Sequence, residues 1–146
     1  MCDASTISYA KVKIEDKKGF VYLAWSERQQ FCKIGFEMNK TGRKKVQTRA
    51  NSLNAELYGE TKDWEVKFFL KSDIAFDLEK KEIQPVLKKY QKFGLYYDKY
   101  NAKLKTIKKQ ECIELYNCSL KIVLKTMQKV ASENNLTVEK YDTITN

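Results

Sequence analysis

The chain has 146 residues, 42% of them hydrophobic and 12% aromatic, which excludes a disordered protein and fits one domain with a sizeable core. No apolar run approaches the ~20 residues that cross a bilayer, and the N-terminal stretch lacks the apolar block of a secretory signal, so we expect a cytoplasmic protein without a membrane partner. The formal net charge of +9 favours a polyanionic partner, and nucleic acid is the expected one.

The first half of the chain predicts a hairpin, a helix and a third strand. Residues 1–18 are polar with a weak alternation, which indicates an arm or an edge strand. Phe20–Trp25 and Phe31–Phe36 are β-branched and aromatic on either side of a polar turn, so we expect an antiparallel hairpin. Alternation over Trp64–Leu70 predicts the third strand. Between hairpin and strand, apolar residues spaced four, three and four apart predict a helix that Gly59 ends: Val46, Ala50, Leu53 and Leu57.

The second half predicts two further helices and a short strand. An apolar stripe over Ile74–Tyr90 indicates a helix that Pro85 kinks or divides. Residues 93–109 lack a clear period, residues 111–115 suit a fourth strand, and residues 120–130 carry the apolar face of a final helix.

The predicted fold class is α+β, with a small antiparallel sheet of three to four strands flanked by helices. We expect one folded domain over residues 19–131. The residues before it form the arm or edge strand, and residues 132–146 are polar and expected to be a frayed tail.

The positive charge is concentrated in two segments. Lys80–Lys109 holds ten basic and two acidic residues interleaved with aromatic ones, and Lys40–Arg49 holds a second basic run without an acid. Cations neutralise phosphates and aromatic faces stack on unpaired bases, whereas the simpler interpretation is core aromatics under a solvated lysine face. We expect the nucleic acid to be DNA, and the residues expected to bind it are Lys44, Lys45, Lys88, Lys89, Lys92, Tyr96, Tyr97, Lys99 and Lys103.

The absence of histidine limits the chemistry available to this chain. It excludes an imidazole general base and any zinc site that needs imidazole. The four cysteines include no Cys-x-x-Cys pair, so we expect reduced thiols and no cysteine zinc site. Catalysis would therefore fall to Tyr, Lys, Arg, carboxylates or a hard metal ion.

Four side chains on elements of the predicted sheet and its helices form a candidate site. Tyr22 and Lys33 lie on the paired strands, Arg49 flanks the apolar stripe of the first helix, and Glu79 flanks that of the second. A carboxylate binds a hard divalent cation, and a guanidinium holds phosphate oxygens. A phenol near positive charge can relay a proton of water. These groups together suit phosphodiester hydrolysis.

The order of these residues resembles the GIY-YIG nuclease superfamily, most closely its phage and bacterial branch with Lys-Ile-Gly as the second motif. Five blocks match in order over roughly residues 19 to 130: Gly19-Phe20-Val21-Tyr22, Lys33-Ile34-Gly35, Arg49-Ala50-Asn51-Ser52-Leu53-Asn54, Ala75-Phe76-Asp77-Leu78-Glu79, and a degenerate Glu111-Cys112-Ile113.

The resemblance implies a small antiparallel sheet flanked by helices and a metal-dependent nuclease. It implies that Tyr22 activates water, that Arg49 stabilises the phosphate and that Glu79 is the sole protein ligand of Mg²⁺ or Mn²⁺. Lys33 stands where most relatives carry the second-motif Tyr.

The sequence also departs from the family pattern. Phe20 occupies a glycine position, and Ile83 occupies the place of a His that many relatives have. The long gap before Arg49 leaves Arg43 as an alternative, and Glu82 is an alternative carboxylate outside the family phase. The late Asn of the family corresponds to Asn101 or Asn117.

Three functions remain open from the sequence. The first is a divalent-metal-dependent DNA endonuclease with a Tyr/Arg/Glu site. The second is a catalytically weak or inactive nucleic-acid-binding module on the same fold. The third is a protein-interaction or inhibitory protein with an acidic partner. The sequence fixes neither the cleavage specificity nor the oligomeric state.

Overall fold

The computed structural model describes residues 17–38, 43–97, 109–111 and 114–141 of the protein. Most of the predicted arm, the Lys99 and Lys103 positions, and Cys112 and Ile113 of the fifth matching block lie outside these residues. The side chains of residues 43–45, 97 and 109–111 lie outside as well, although their backbone is described.

A five-stranded antiparallel sheet organises the fold, and its strands lie side by side in the spatial order Leu115–Tyr116, Phe31–Met38, Gly19–Ser26, Trp64–Ser72 and Glu139–Lys140. The hairpin of β1 (Gly19–Ser26) and β2 (Phe31–Met38) and the strand β3 (Trp64–Ser72) lie where the sequence predicts strands. Two short strands pair with their outer edges, β6 (Leu115–Tyr116) with β2 and β7 (Glu139–Lys140) with β3. The α+β class is confirmed, and the sheet has one strand more than the three to four predicted.

A separate two-stranded ribbon forms from β4 (Leu95–Tyr97) and β5 (Lys109–Glu111). The fourth strand predicted over residues 111–115 is therefore divided. Its first residue belongs to the ribbon, and its last begins β6 in the main sheet. Alternation does not resolve this division, because both strands are only two or three residues long.

Each face of the main sheet packs against its own helices, because residues on β1 alternate between two cores. Phe20, Tyr22 and Ala24 face α1 (Arg43–Ala55). Val21 and Leu23 face the opposite core, which contains residues of α2 (Leu120–Glu133) and of the composite helix defined next.

The helix predicted over Ile74–Tyr90 is made of four short pieces, which we call the composite helix. They are α-helical turns at Ala75–Asp77 and Gln84–Leu87, a π-helix at Leu78–Ile83 and a 3₁₀ turn at Lys88–Tyr90. Pro85 has no N–H to donate, and it lies in the turn that follows the π-helix. The break that the sequence predicts at Pro85 is therefore a change from π-helix to α-helix just before this proline.

The expectation of a frayed tail is wrong for the described part of residues 132–146. Leu136 and Val138 pack against one core, β7 pairs with Phe68 and Phe69, and Tyr141 is buried in the other core. Three apolar residues are enough to hold this polar segment against the domain, because the open edge of β3 supplies hydrogen-bond partners for its backbone. The folded domain thus continues past residue 131.

In the described part of the chain, no helix combines the length and the apolar character needed to span a bilayer. Cys32 and Cys118 are free thiols, and Cys32 Sγ donates to the carbonyl oxygen of Cys118 at 3.4 Å.

Candidate functional site

Tyr22 and Arg49 meet directly on the α1 face of the sheet. Arg49 Nε donates a hydrogen bond to the Tyr22 hydroxyl oxygen at 2.8 Å, and the guanidinium carbon lies 5.7 Å from the ring centroid. The helix phase explains the contact, because Val46, Ala50 and Leu53 are buried on the sheet and Arg49 lies beside that stripe. The pKa of Arg49 is raised, chiefly by its electrostatic interaction with Tyr22, so Arg49 remains a cation.

The absence of a side chain at Gly35 makes room for the Tyr22 hydroxyl. The two residues are cross-strand partners on the same face. A Cβ atom built at Gly35 would collide with the hydroxyl oxygen and ring carbons of Tyr22. The glycine of the second motif is therefore needed for close approach and not for an unusual backbone angle.

Lys33 connects this pair to the edge of the sheet. Its ammonium lies 5.4 Å from the Tyr22 ring centroid and 5.0 Å from that of Tyr58, and the residue is 2% exposed. It donates to Glu114 Oε1 and to the carbonyl oxygen of Ile34 at 3.3 Å. Burial lowers the pKa of Lys33, but the interactions with Glu114, Tyr22 and Tyr58 together outweigh burial and the pKa is raised, so Lys33 stays protonated.

Glu79 reaches the same sheet edge from the composite helix. It lies in the π-helix and is 0% exposed. It is therefore buried more deeply than its predicted position at the edge of the core. The Gln84 backbone N–H donates to the Glu79 carbonyl across a π-type turn, and the Gln84 amide donates to Glu79 Oε2. Glu79 Oε1 receives no hydrogen bond from the described residues and lies 3.4 Å from Lys80 Nζ.

Glu114 completes the arrangement, and sequence reasoning missed it. It immediately precedes β6, and its carbonyl accepts from the Ile34 N–H at 3.3 Å. Besides Lys33, its carboxylate accepts from Lys80 Nζ at 3.1 Å and Gln84 Nε2 at 3.2 Å. Three donors, one from β2 and two from the composite helix, therefore converge on one carboxylate.

The two carboxyl groups are driven to opposite protonation states. The pKa of Glu79 is raised to about 8, first by burial and then by the charge of Glu114. Burial also acts to raise the pKa of Glu114, but Lys33 and Lys80 more than offset it and the pKa is lowered. At neutral pH in the absence of a cation, Glu114 is ionised and Glu79 is mostly protonated.

Two tyrosines missed by the sequence analysis line this cluster. The Tyr58 hydroxyl oxygen accepts from the Glu114 backbone N–H at 3.2 Å. Tyr116 is buried, and its pKa is raised by burial and by Glu79 and Glu114, so it stays a neutral phenol that can donate. Their positions depend on β6 and on the turn after α1, which no periodic pattern marks.

We call the linked polar residues the edge cluster: Tyr22, Lys33, Arg49, Glu79, Lys80, Gln84 and Glu114. All four predicted site residues belong to it, but they do not form one contact. Tyr22 and Arg49 touch on the α1 face. Glu79 is linked to Glu114 through Lys80 and Gln84, which each contact both carboxyl groups, and Glu114 in turn accepts from Lys33. Lys33 also lowers the pKa of Glu79 by its charge, which supports their proximity.

The alternative residues lie apart from the edge cluster or outside the described side chains. Glu82 Oε1 accepts from Asn134 on the far side of the composite helix at 3.4 Å. Asn117 is exposed, and its backbone N–H donates to the Tyr90 carbonyl at 2.8 Å. Ile83, at the position of the family His, is buried in the core. The Arg43 side chain and Asn101 are not among the described residues.

The predicted nucleic-acid-binding residues divide into exposed, buried and undescribed groups. Lys88 and Lys89 are exposed, and the ammonium of Lys92 lies 5.0 Å from the Phe31 ring centroid. Tyr96 is 2% exposed and stacks on Tyr58 with ring centroids 5.5 Å apart. The prediction that Tyr96 stacks on bases is therefore corrected, because its ring is part of the core. The side chains of Lys44, Lys45, Tyr97, Lys99 and Lys103 lie outside the description.

The donor set can be tested for a divalent cation. No group of three or more acidic or cysteine side chains suited to a metal occurs within the described ranges. Glu114 is committed to lysines, whereas the buried Glu79 Oε1 has no described hydrogen-bond donor. A buried carboxylate oxygen in that state fits a hard cation whose other ligands are water and substrate. Glu79 is therefore the described residue that would hold one Mg²⁺, with the ion taking the place of the 3.4 Å contact between Glu79 Oε1 and Lys80 Nζ.

Comparisons of the chain with protein-family models, with curated proteins and with solved structures found no match.

Proposed function

We propose that the protein is a divalent-cation-dependent nuclease that hydrolyses phosphodiester bonds in DNA. The observation that carries this proposal is the Arg49–Tyr22 hydrogen bond, formed beside a glycine that leaves space and linked through Lys33 to two buried carboxyls. The order of motifs that resembles the GIY-YIG superfamily supports the same function.

The proposed reaction assigns a separate task to each group. A water oxygen bonds to phosphorus as the bond to the leaving sugar oxygen breaks. The Tyr22 oxygen accepts a proton of that water, the leaving sugar oxygen takes a proton from solvent water, and Arg49 stabilises negative charge on the phenol oxygen and on the phosphate. Lys33 adds positive charge near the ring. A cation on Glu79 would supply charge neutralisation for the phosphate oxygens.

The buried charges favour catalysis over a purely structural role. One lysine and two carboxyl groups (Lys33, Glu79 and Glu114) are buried at one edge of the sheet, and Lys80 is half-buried beside them. Desolvation of such groups costs several kcal/mol per ion, and an apolar core of equal volume is often at least as stable. A catalytic role would explain why these charged groups are kept in the interior, since active sites commonly hold charged groups in such surroundings.

The direct experiment incubates supercoiled plasmid with the protein, with and without Mg²⁺ or Mn²⁺. We expect cation-dependent conversion to nicked circles. Tyr22→Phe should reduce the nicking rate by ~10²–10⁴-fold and leave DNA binding intact, because the ring remains and the hydroxyl is lost.

Tyr141→Phe is the matched control for that variant. The Tyr141 hydroxyl donates to Gln47 at 3.0 Å in the same core but outside the edge cluster. Its removal should leave nicking unchanged. Equal nicking by parent and Tyr22→Phe would contradict the role of Tyr22, and no cation-dependent nicking by the parent would contradict the nuclease.

A nucleic-acid-binding module without catalysis is the second candidate. The observation in its favour is burial, since Tyr22 is 1% exposed and Glu79 is 0% exposed, whereas a reacting phosphate must touch both. This candidate predicts DNA retention that is insensitive to Mg²⁺ and no nicking under any cation.

A further inference from the structure

A pocket of about 360 Å³ opens beside the edge cluster, and none of the groups assigned above to catalysis lines it. Its lining residues are Lys80, Gln84, Pro85, Lys88, Gln91 and Tyr116. The volume lies within the range of ~300–1,000 Å³ typical of small-ligand sites. We call this cavity the Gln84 pocket.

The walls of the Gln84 pocket are fixed by backbone pairing. Gln91 and Tyr116 form an antiparallel bridge. On either side of that bridge, the Lys92 N–H donates to the Leu115 carbonyl at 2.9 Å and the Asn117 N–H to the Tyr90 carbonyl at 2.8 Å. The end of the composite helix is thereby joined to β6, so the pocket is preformed.

The charge of the lining selects an anion. Among the described residues, two lysines and no carboxylate line the pocket. Lys80 donates one hydrogen bond to Glu114 at 3.1 Å and lies 3.4 Å from Glu79 Oε1, which leaves one ammonium proton for a ligand. Tyr116 can add a hydroxyl donor, since its pKa is raised and it remains protonated. Pro85 and the Tyr116 ring add apolar surface of the kind that a sugar or base can contact.

We propose that the Gln84 pocket binds a phosphate group of a nucleotide, with Lys80 and Lys88 as the cationic contacts. Given the proposed function, this phosphate is the one next to the scissile phosphate in the bound strand. Lys80 and Gln84 form the wall between the pocket and Glu79, so two consecutive phosphates would lie on either side of that wall.

The test uses the full chain and inorganic phosphate, thymidine 5′-monophosphate and uncharged thymidine as probes. Titration is followed by NMR of the side-chain amides of Gln84 and Gln91. We expect saturable shifts of both amides with phosphate and the nucleotide, tighter binding of the nucleotide, and none with thymidine.

Lys88→Gln and Lys125→Gln form a matched pair for this titration. Both remove one exposed lysine charge, but Lys125 lines a different groove, between the composite helix and α2. Lys88→Gln should weaken nucleotide binding by about tenfold or more, since charge-assisted bonds to phosphate are strong. Lys125→Gln should change it by less than about twofold, because exposed distant charges are screened.

Equal weakening by both variants would overturn the pocket, as would shifts confined to the Arg49 side chain. The plasmid assay separates this inference from the proposed function. Nicking without phosphate shifts at Gln84 would refute only the pocket. Phosphate binding at Gln84 without nicking would refute the nuclease and leave an anion-binding protein.

Discussion

Two polar networks of this protein, one partly exposed and one buried, favour opposite charge states of their carboxyl groups. At the turn end of the hairpin, Asp63 accepts from the hydroxyls of Ser26 and Thr61 and from the Arg28 N–H at 2.8 Å. We call these four residues the hairpin network. Both Asp63 oxygens have donors, and the pKa of Asp63 is lowered because these hydrogen bonds outweigh its desolvation.

The edge cluster leaves its carboxyl Glu79 incompletely satisfied. One Glu79 oxygen has no described hydrogen-bond donor, and burial raises its pKa to about 8. The hairpin network therefore favours the charged carboxylate, whereas the edge cluster disfavours it unless a cation arrives. A network in which both carboxylate oxygens have donors stabilises the fold, whereas a network with an unsatisfied oxygen indicates a site that a ligand completes.

Replacing one carboxyl group in each network by an amide tests this comparison with the largest expected effect. Glu79→Gln should reduce plasmid nicking by at least about 10²-fold, because the proposed cation ligand is lost, while thermal stability is kept or increased. Asp63→Asn should leave nicking unchanged and cost about 1–3 kcal/mol of unfolding free energy, since charge-assisted bonds are weakened. Nicking rates and denaturant midpoints measure both outcomes. The reverse assignment of effects would refute the comparison.

The pH dependence of stability should separate the two networks next. Between about pH 4.5 and 8, folded Glu79 holds a proton that the unfolded chain has lost, so stability falls as pH rises through this window. The free energy of unfolding of Glu79→Gln, relative to that of the parent, should therefore increase by on the order of a few kcal/mol between pH 5 and pH 8. The contribution of Asp63 to stability has the opposite pH dependence. It is present at higher pH and is lost as the pH falls below about 3.8, the pKa of Asp63 in the unfolded chain.

Added Mg²⁺ provides a control for that pH series without any DNA. The ion should raise the melting temperature of the parent at pH 8 and leave Glu79→Gln unchanged, because a ligand that binds only the folded state stabilises it. An equal Mg²⁺ effect on both proteins would place the cation elsewhere.

The smallest expected effect comes from Gly35→Ala. The new methyl group would displace the Tyr22 hydroxyl and weaken its hydrogen bond to Arg49, at a cost of about 1–3 kcal/mol. Nicking should fall while the hairpin network stays intact. Amide exchange at Arg28, whose N–H donates to Asp63, would report on the latter. Unchanged nicking would mean that the Tyr22–Arg49 contact is dispensable.

Much of the fold follows from local patterns, because β1, β2, β3, α1 and α2 are long enough to show their periods. The Tyr22–Arg49 contact also follows, since strand alternation and helix phase place both on one face. Glu79 is predicted only in part, because its depth depends on a π-helix that a regular 3.6-residue period does not reveal.

The parts that sequence reasoning missed depend on long-range pairing. Glu114 acquires its role from β6, two residues long, and from Lys33, which lies 81 residues away in the chain. Tyr141 enters the core through β7, which is equally short. No window of sequence distinguishes such strands from loops, because their stability comes from the sheet edge they join and not from their own composition.

The π-helix also affects how many residues the chain needs around Glu79. A π-turn contains one residue more than the α-turn it replaces. Deletion of one residue within 80–82 would therefore place Gln84 four residues after Glu79, so that its N–H closes an ordinary α-helical turn on the Glu79 carbonyl. The turns on either side would keep their relative orientation, because the π-turn already accommodates the extra residue. The composite helix is thus one residue longer than its packing requires, and that residue lies directly after Glu79.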